Sequence, residues 1–170
     1  MVVDETAIWT DMTRTHGRAP IGERLVEAVP HAHWHTTTVI GAMDVTGIRA
    51  SMLLEGATDR DAFEAFLEQV LTPTLVPGEI VVMDNLSAHK GGRVRELIRG
   101  AGCRPVYLPP YSFDLSPIEP GFGKFKTLLR KLRPRSVAEL WDKAGEVLNQ
   151  ISASDAIGYF THCGYLLQMK

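Results

Sequence analysis

Three carboxylates invite a chemical reading of this sequence. Asp4 lies near the N-terminus, Asp84 ends the apolar run Ile80-Val81-Val82-Met83, and Glu119 closes Ser116-Pro117-Ile118-Glu119. Acids at strand ends make good metal sites, because the strand fixes the side chain while its end stays open to substrate. Mg²⁺ or Mn²⁺ takes oxygen ligands and keeps several waters, so two or three carboxylates plus a substrate phosphate suffice. Two such ions roughly 4 Å apart can activate an attacking oxygen and stabilise the leaving one. The chemistry expected of the trio is metal-dependent phosphoryl transfer, with Asp4, Asp84 and Glu119 as catalytic residues and metal ligands. Without metal, like charges at such range should raise at least one pKa.

Each acid also has a plainer reading. Asp84 could cap the loop that begins at Asn85. Asp4 could be an exposed acid on a frayed strand. Glu119 fits a capping box, with Ser116 at N-cap, Pro117 at N1 and Glu119 at N3. Competing chemistries lack their motifs: the sequence has no Gly-rich phosphate loop, no Gly-x-Ser-x-Gly and no His-Glu-x-x-His.

The acids must be held by a sheet. Val2 to Trp9 reads as a short strand, and Thr10 to His33 as a long irregular connection. His35 to Val45 and Ile48 to Leu54 read as a hairpin turning at Asp44 to Gly47. Asp59 can cap a helix that shows Phe63, Phe66, Leu67, Val70 and Leu71 on one face. Glu79 to Asp84 has the continuous apolar character of a buried central strand. A helix around Arg93 to Arg99, a strand at Arg104 to Leu108, and helices at Pro117 to Leu132 and Val137 to Ile151 follow, with a short one over Asp155 to Phe160. Phe122, Phe125, Leu129 and Leu132 form an apolar stripe that should press the helix of Glu119 against the sheet. Leu140, Trp141, Ala144, Leu148 and Ile151 face the core from the next helix. A hairpin followed by βα alternation implies an α/β, ribonuclease H-like fold: a mixed five-stranded sheet flanked by helices, in a single domain.

Composition sets the remaining bounds. A hydrophobic fraction of 45% with 22% charged residues is that of a globular domain. No apolar run approaches the roughly 20 residues of a membrane span, and Met-Val-Val-Asp-Glu is not a signal peptide. Cys103 and Cys163 stand in no metal-ligand spacing and read as thiols of a reducing compartment, so a cytoplasmic protein without a membrane partner is expected. The net charge of −2 hides an asymmetry: Asn85 to Arg135 holds eleven lysines and arginines against three acids. Lys124, Lys126, Arg130, Lys131, Arg133 and Arg135 lie in an acid-free run, and those on an exposed face are expected to track phosphates.

At this point the motifs become specific. Asp84-Asn85-Leu86-Ser87-Ala88-His89-Lys90, Leu108-Pro109-Pro110-Tyr111-Ser112, Asp114-Leu115-Ser116-Pro117-Ile118-Glu119 and Lys124-Phe125-Lys126 resemble the catalytic core of the mariner-like superfamily of DDE transposases, in its bacterial insertion-sequence six-thirty branch. Thirty-four residues separate Asp84 from Glu119, a spacing this superfamily uses. Asp4-Glu5-Thr6, Gly17-Arg18-Ala19-Pro20, Pro30 to Trp34 and Cys163-Gly164-Tyr165 extend the likeness over nearly the whole chain. Two residues depart from the pattern: Phe113 stands where proline is usual, and Pro120 follows Glu119 directly.

The resemblance implies hydrolysis at transposon ends, then attack of the freed 3′-OH on target DNA. It implies two Mg²⁺ or Mn²⁺ ions, DNA contacts from His89 and Lys90, and a homodimer in the active complex. His89 reads equally as a helix-start residue bonded to backbone, while Lys124, Lys126 and Arg130 are the DNA contacts expected of the basic run. Such transposases carry an N-terminal helix-turn-helix region that reads the ends. Only three residues precede Asp4, so a separately encoded half is one expectation and a truncated product another. Two other readings stay open: an inactive relic that binds DNA or a partner, and a ribonuclease H-type nuclease with a further acid from Glu64 or Glu68.

Overall fold

The computed structural model describes residues 1–30 and 35–166. The β-branched stretches form β1 (Val2–Trp9), β2 (Thr36–Asp44) and β3 (Gly47–Glu55), a continuous antiparallel meander in which β1 pairs with β2 and β2 with β3. The turn between β2 and β3 depends on Gly47. Its φ is +123°, and a Cβ there would stand 2.6 Å from the carbonyl oxygen of Ile151, so only glycine fits. After the meander the chain alternates: α1 (Arg60–Phe66), β4 (Ile80–Met83), α2 (Gly92–Gly100) and β5 (Arg104–Tyr107). Both late strands run parallel to β1, giving the order β3-β2-β1-β4-β5. Three helices close the domain, α3 (Ile118–Leu132), α4 (Val137–Leu148) and α5 (Ala153–His162). This is the mixed five-stranded sheet of a ribonuclease H-like fold, as the alternation implied.

Helices cover both faces. On the front, α3, α4 and α5 pack Phe122, Phe125, Leu129, Leu140 and Phe160 over Val2, Ile8, Val39 and Val82. On the back, α1 and α2 pack Phe63, Phe66, Val94 and Ile98 over Val3, Ile40, Val81 and Met83. Alternate residues of β1 and β4 thus feed opposite cores, as the two-residue period of a strand requires. Asp59 caps α1 by accepting from the Ala62 N–H, and α1 continues into a π-helical turn, Leu67–Leu71.

Two residues of the expected core stripes face outward. Leu132 is 45% exposed, because α3 ends there and Arg133 turns left-handed, with φ 55°. Trp141 is 38% exposed, and its Nε1 donates to buried Thr37 Oγ1 at 2.9 Å, which draws the indole to the rim of the core. The connection after β1 is irregular through residue 30, and Arg135 ties it down by donating to the carbonyls of Thr10 and Met12. Of the Pro30 to Trp34 motif, residues 31–34 lie outside the described residues.

Arg49 on β3 fastens the meander to the strand that follows α1. Its guanidinium meets Asp44 at 3.0 Å and Glu79 at 2.6 Å, and it also donates to the Thr74 carbonyl. Burial pushes the Asp44 and Glu79 carboxyls up. For Asp44 the bonds from Thr46 and Arg49 outweigh it, and for Glu79 those from Arg49 and the Val76 N–H, so both are held below their usual values. The network's contribution is therefore complete above about pH 4, the unfolded carboxylate range, and is lost as pH falls through the lower folded values. Arg49→Met should cost about 2 kcal/mol at pH 7, since it strands two half-buried acids. Urea melts should show the gap to the parent protein closing as pH drops below 4. A gap that does not change with pH would show that packing, not charge, holds Arg49.

Candidate active site

The register of the parallel pair β1 and β4 builds the site. Val2 lies opposite Val82 and Val3 opposite Met83, so one more step brings Asp4 beside Asp84 at the end of β4. By the same alternation both acids lie on the face of Val2 and Val82, the front face that α3 covers. Ile118, Phe122, Phe125 and Leu129 are buried and hold α3 there, and Gly41 on β2 leaves room for the Phe122 ring. The first turn of α3 then delivers Glu119 to a cavity of about 320 Å³ that Asp4 and Asp84 also line. Its outer wall is the loop Leu108 to Phe113, with Asn85, Leu86 and Ser116. Tyr111 in that loop is 92% exposed and has a left-handed backbone, with φ 59°, an uncommon state for a non-glycine residue. Phe113, the departure from proline, is 68% exposed at the cavity mouth.

The capping box does not form. α3 starts at Ile118 with Pro117 as its N-cap and no side-chain cap bond. Glu119 is then one position short of N3, and Ser116, 4% exposed, is turned into the cavity wall. Pro120 falls among the first four residues of the helix, whose N–H groups have no partner within it, and is accommodated without loss.

Electrostatically the trio is strained. Burial, followed by the charges of Glu119, Glu5 and Asp84, pushes Asp4 up to about 7 against a single relieving bond from the Glu5 N–H. Like-charge repulsion was expected to raise one pKa, and here it adds to a larger desolvation effect. Burial also pushes Asp84 up, but His89, the Leu86 N–H and Lys90 together hold it below the usual carboxylate range. The donor set, all carboxylate oxygen, fits a hard divalent cation, and a cation beside Asp4 would relieve the cost of ionising it. Among the described residues no three such side chains close into a ligand cluster, so the cavity presents the acids on its walls and not as a finished cage.

The expected DNA contacts fare unevenly. His89 is 0% exposed and cannot meet a phosphate. It lies behind the sheet, stacked on Phe63 with ring centroids 4.1 Å apart, between Glu5 and Asp84. Burial lowers its pKa, yet the two carboxylates outweigh this and raise it to about 9. Lys124 is also occupied, bonded to Asp155 at 2.6 Å and to the Gln150 carbonyl at 3.1 Å. Lys90 is exposed on the short turn before α2. Lys126 stands 5.9 Å from the Trp9 ring, and burial, then neighbouring Arg130, lower its pKa. Arg130 and Lys131 line a shallow basic groove with Arg14 and His16. Glu64 and Glu68, the acids of a ribonuclease H-type alternative, do not line the cavity, and Glu68 pairs with Arg93 at 2.7 Å.

Sequence reasoning missed Glu5 as a partner of the site. The signal was present: a strand that puts Asp4 on the front must put Glu5 on the back, into an apolar core where a charge needs a partner.

No helix among the described residues is long and apolar enough to cross a membrane. No curated protein is similar enough to this sequence to match it. Among solved structures, the Mos1 transposase paired-end complex with left transposon end superposes with a TM-score of 0.74 at 18% identity, over 95% of this chain and 50% of that one. The Mos1 strand transfer complex gives 0.69 at 18% identity, again over 95% and 50%. A Mos1 transposase catalytic domain with raltegravir and Mg gives 0.64 at 16% identity, over 98% and 85%. The chain thus spans about half the length of the first two and has their catalytic-domain fold. The family model described as DDE superfamily endonuclease matches residues 1–141, a stretch that begins before Asp4 and runs past Glu119, and the chain therefore belongs to the DDE superfamily endonucleases.

Proposed function

We propose that this chain is the catalytic domain of a transposase, which hydrolyses DNA at transposon ends and joins the freed 3′-OH to target DNA. One observation carries the reading: acids from β1, from the end of β4 and from the first turn of α3 line a single cavity at one end of the sheet. Asp4, Asp84 and Glu119 would hold two Mg²⁺ or Mn²⁺ ions. Bound there, the ions would supply Lewis-acid stabilisation of charge on the phosphoryl oxygens and a more acidic attacking water. Asp4, pushed up to about 7 without metal, would hold the ions as the carboxylate, any proton it carries passing to solvent. The loop Leu108 to Phe113 forms the outer wall of the cavity, against which the scissile strand would lie. Relatives by fold have been captured with a transposon end and with Mg or Mn, which supports DNA and divalent cations as the partners. A second copy of the chain in the active complex and the bacterial insertion-sequence branch belong to the same proposal.

The test is a joining assay. Pre-cut end DNA bearing a free 3′-OH is incubated with supercoiled plasmid, protein and Mn²⁺. Joined product supports a transposase. Nicking without joining would favour a nuclease, and neither would favour an inactive relic.

The placement of the basic residues also separates binding from structure. Lys126→Gln with Arg130→Gln should flatten the dependence of log K for DNA on log salt by about 0.9 per lost phosphate contact, so roughly 2 in all. Lys124→Gln should leave that slope alone and loosen α5 instead, because its charge is used by Asp155. An unchanged slope in the double variant would make Lys126 and Arg130 ordinary surface charges.

A further inference from the structure

Asp84 is held from behind. Asp4 and Asp84 face the front of the sheet, whereas Glu5 faces the back, toward the core that contains Phe63. His89 arrives on a short turn at Ala88–Lys90 and fills the space at the end of β4. Its Nε2 lies 2.9 Å from Glu5 Oε1 and its Nδ1 2.5 Å from Asp84 Oδ1. The second is a close polar contact and not an aligned hydrogen bond, since Nδ1 has no well-directed acceptor. Three further contacts fix the imidazole and its turn. The ring stacks on Phe63 at 4.1 Å, the His89 carbonyl accepts from Tyr107 Oη at 2.9 Å, and the His89 N–H donates to the Leu86 carbonyl at 3.2 Å.

We propose that Glu5 and His89 form a buried brace that aims the Asp84 carboxylate into the front cavity. This rests on the proposed role of Asp84 as a metal ligand. The reasoning is steric and electrostatic. Asp84 is past the last paired residue of β4, so the strand ladder does not fix its side chain. Its Oδ1 is engaged by His89 and by the Leu86 N–H at 3.0 Å. With that oxygen tethered, the carboxylate is oriented before any cation arrives. Glu5 holds the far ring nitrogen, so the imidazole cannot turn away from Asp84. Neither residue lines the cavity, so both are positioning residues. Partners of this kind commonly change metal affinity 10- to 100-fold when removed.

The experiment measures Mn²⁺ affinity by water-proton relaxation on the whole chain, alongside thermal unfolding. Glu5→Leu with His89→Phe exchanges the buried charges for apolar groups and keeps a ring on Phe63, so folding should survive. The expected result is a folded protein whose Mn²⁺ affinity is 10- to 100-fold weaker. Glu5→Gln keeps a hydrogen-bonding group and should weaken affinity only several-fold. A folded double variant with the parent's Mn²⁺ affinity would overturn the brace. If the double variant does not fold, the single variant decides: a Glu5→Gln protein that binds Mn²⁺ as the parent does overturns it equally. Failure of the underlying reading looks different, because then the parent itself binds no Mn²⁺, or Asp84→Asn binds it as well as the parent.

Discussion

Glu119→Gln is expected to lower the proposed Mn²⁺-dependent DNA cleavage by about 10³-fold or more and to leave the melting temperature nearly unchanged. The first half follows from the proposed role of Glu119 as a charged oxygen ligand, whose loss at a site stabilising phosphoryl charge would be worth about 4 kcal/mol of barrier. The second half follows from the geometry of the helix start. Glu119 makes no cap bond, and Pro117 occupies the N-cap. Its side chain is exposed at the cavity, so glutamine there disturbs no packing. Only the first-turn charge is lost, worth less than about 1 kcal/mol at an exposed helix N-terminus. Plasmid nicking and a thermal melt on the same preparation check both halves. Full cleavage by the variant would remove Glu119 from the chemistry, and a large fall in melting temperature would restore it as a structural residue.

A loss of about 3–5 kcal/mol of folding stability is expected for Phe125→Ala. Phe125 is 0% exposed in the front core, where α3 meets the sheet and α4. Truncation leaves a cavity beneath the helix that carries Glu119. Domains of this kind have a total stability of about 5–15 kcal/mol, so the variant should be marginal and melt roughly 10 °C or more lower. Leu132→Ala provides the contrast. Leu132 belongs to the same apolar stripe in sequence but is 45% exposed, so its truncation should cost less than about 1 kcal/mol. Equal losses at the two positions, read by urea unfolding, would mean that α3 packs differently along its length.

Both expectations turn on particulars that the amino-acid pattern states only in part. The stripe Phe122, Phe125, Leu129 and Leu132 is periodic throughout, and periodicity cannot say where a helix runs out of sheet to cover. The left-handed Arg133 settles that by ending α3 at Leu132. Likewise Ser116-Pro117-Ile118-Glu119 has the letters of a capping box, but whether Ser116 faces the helix end or the cavity depends on what packs around it. Here the cavity wall takes it. Lys124 sits within an acid-free run, and its neutralising partner, Asp155, comes from α5, 31 residues away.

Local sequence determined the strands and helices, their order, and the chemistry available at Asp4, Asp84 and Glu119. These depend on short-range rules: alternation of apolar residues, glycine and proline at breaks, and acids at strand and helix ends. The likeness of the Asp84, Pro109-Pro110 and Glu119 segments to a known transposase core pointed to the family that the chain proved to join. Tertiary structure alone decided that the three acids line one cavity, because that depends on the parallel register of β1 with β4 and on the seating of α3. It alone placed His89 behind the sheet, 84 residues along the chain from Glu5, against Phe63 of α1 and Tyr107 of β5. A charge that looks free in sequence is free or spent according to what long-range packing brings within about 3–4 Å of it, and no local pattern encodes that distance.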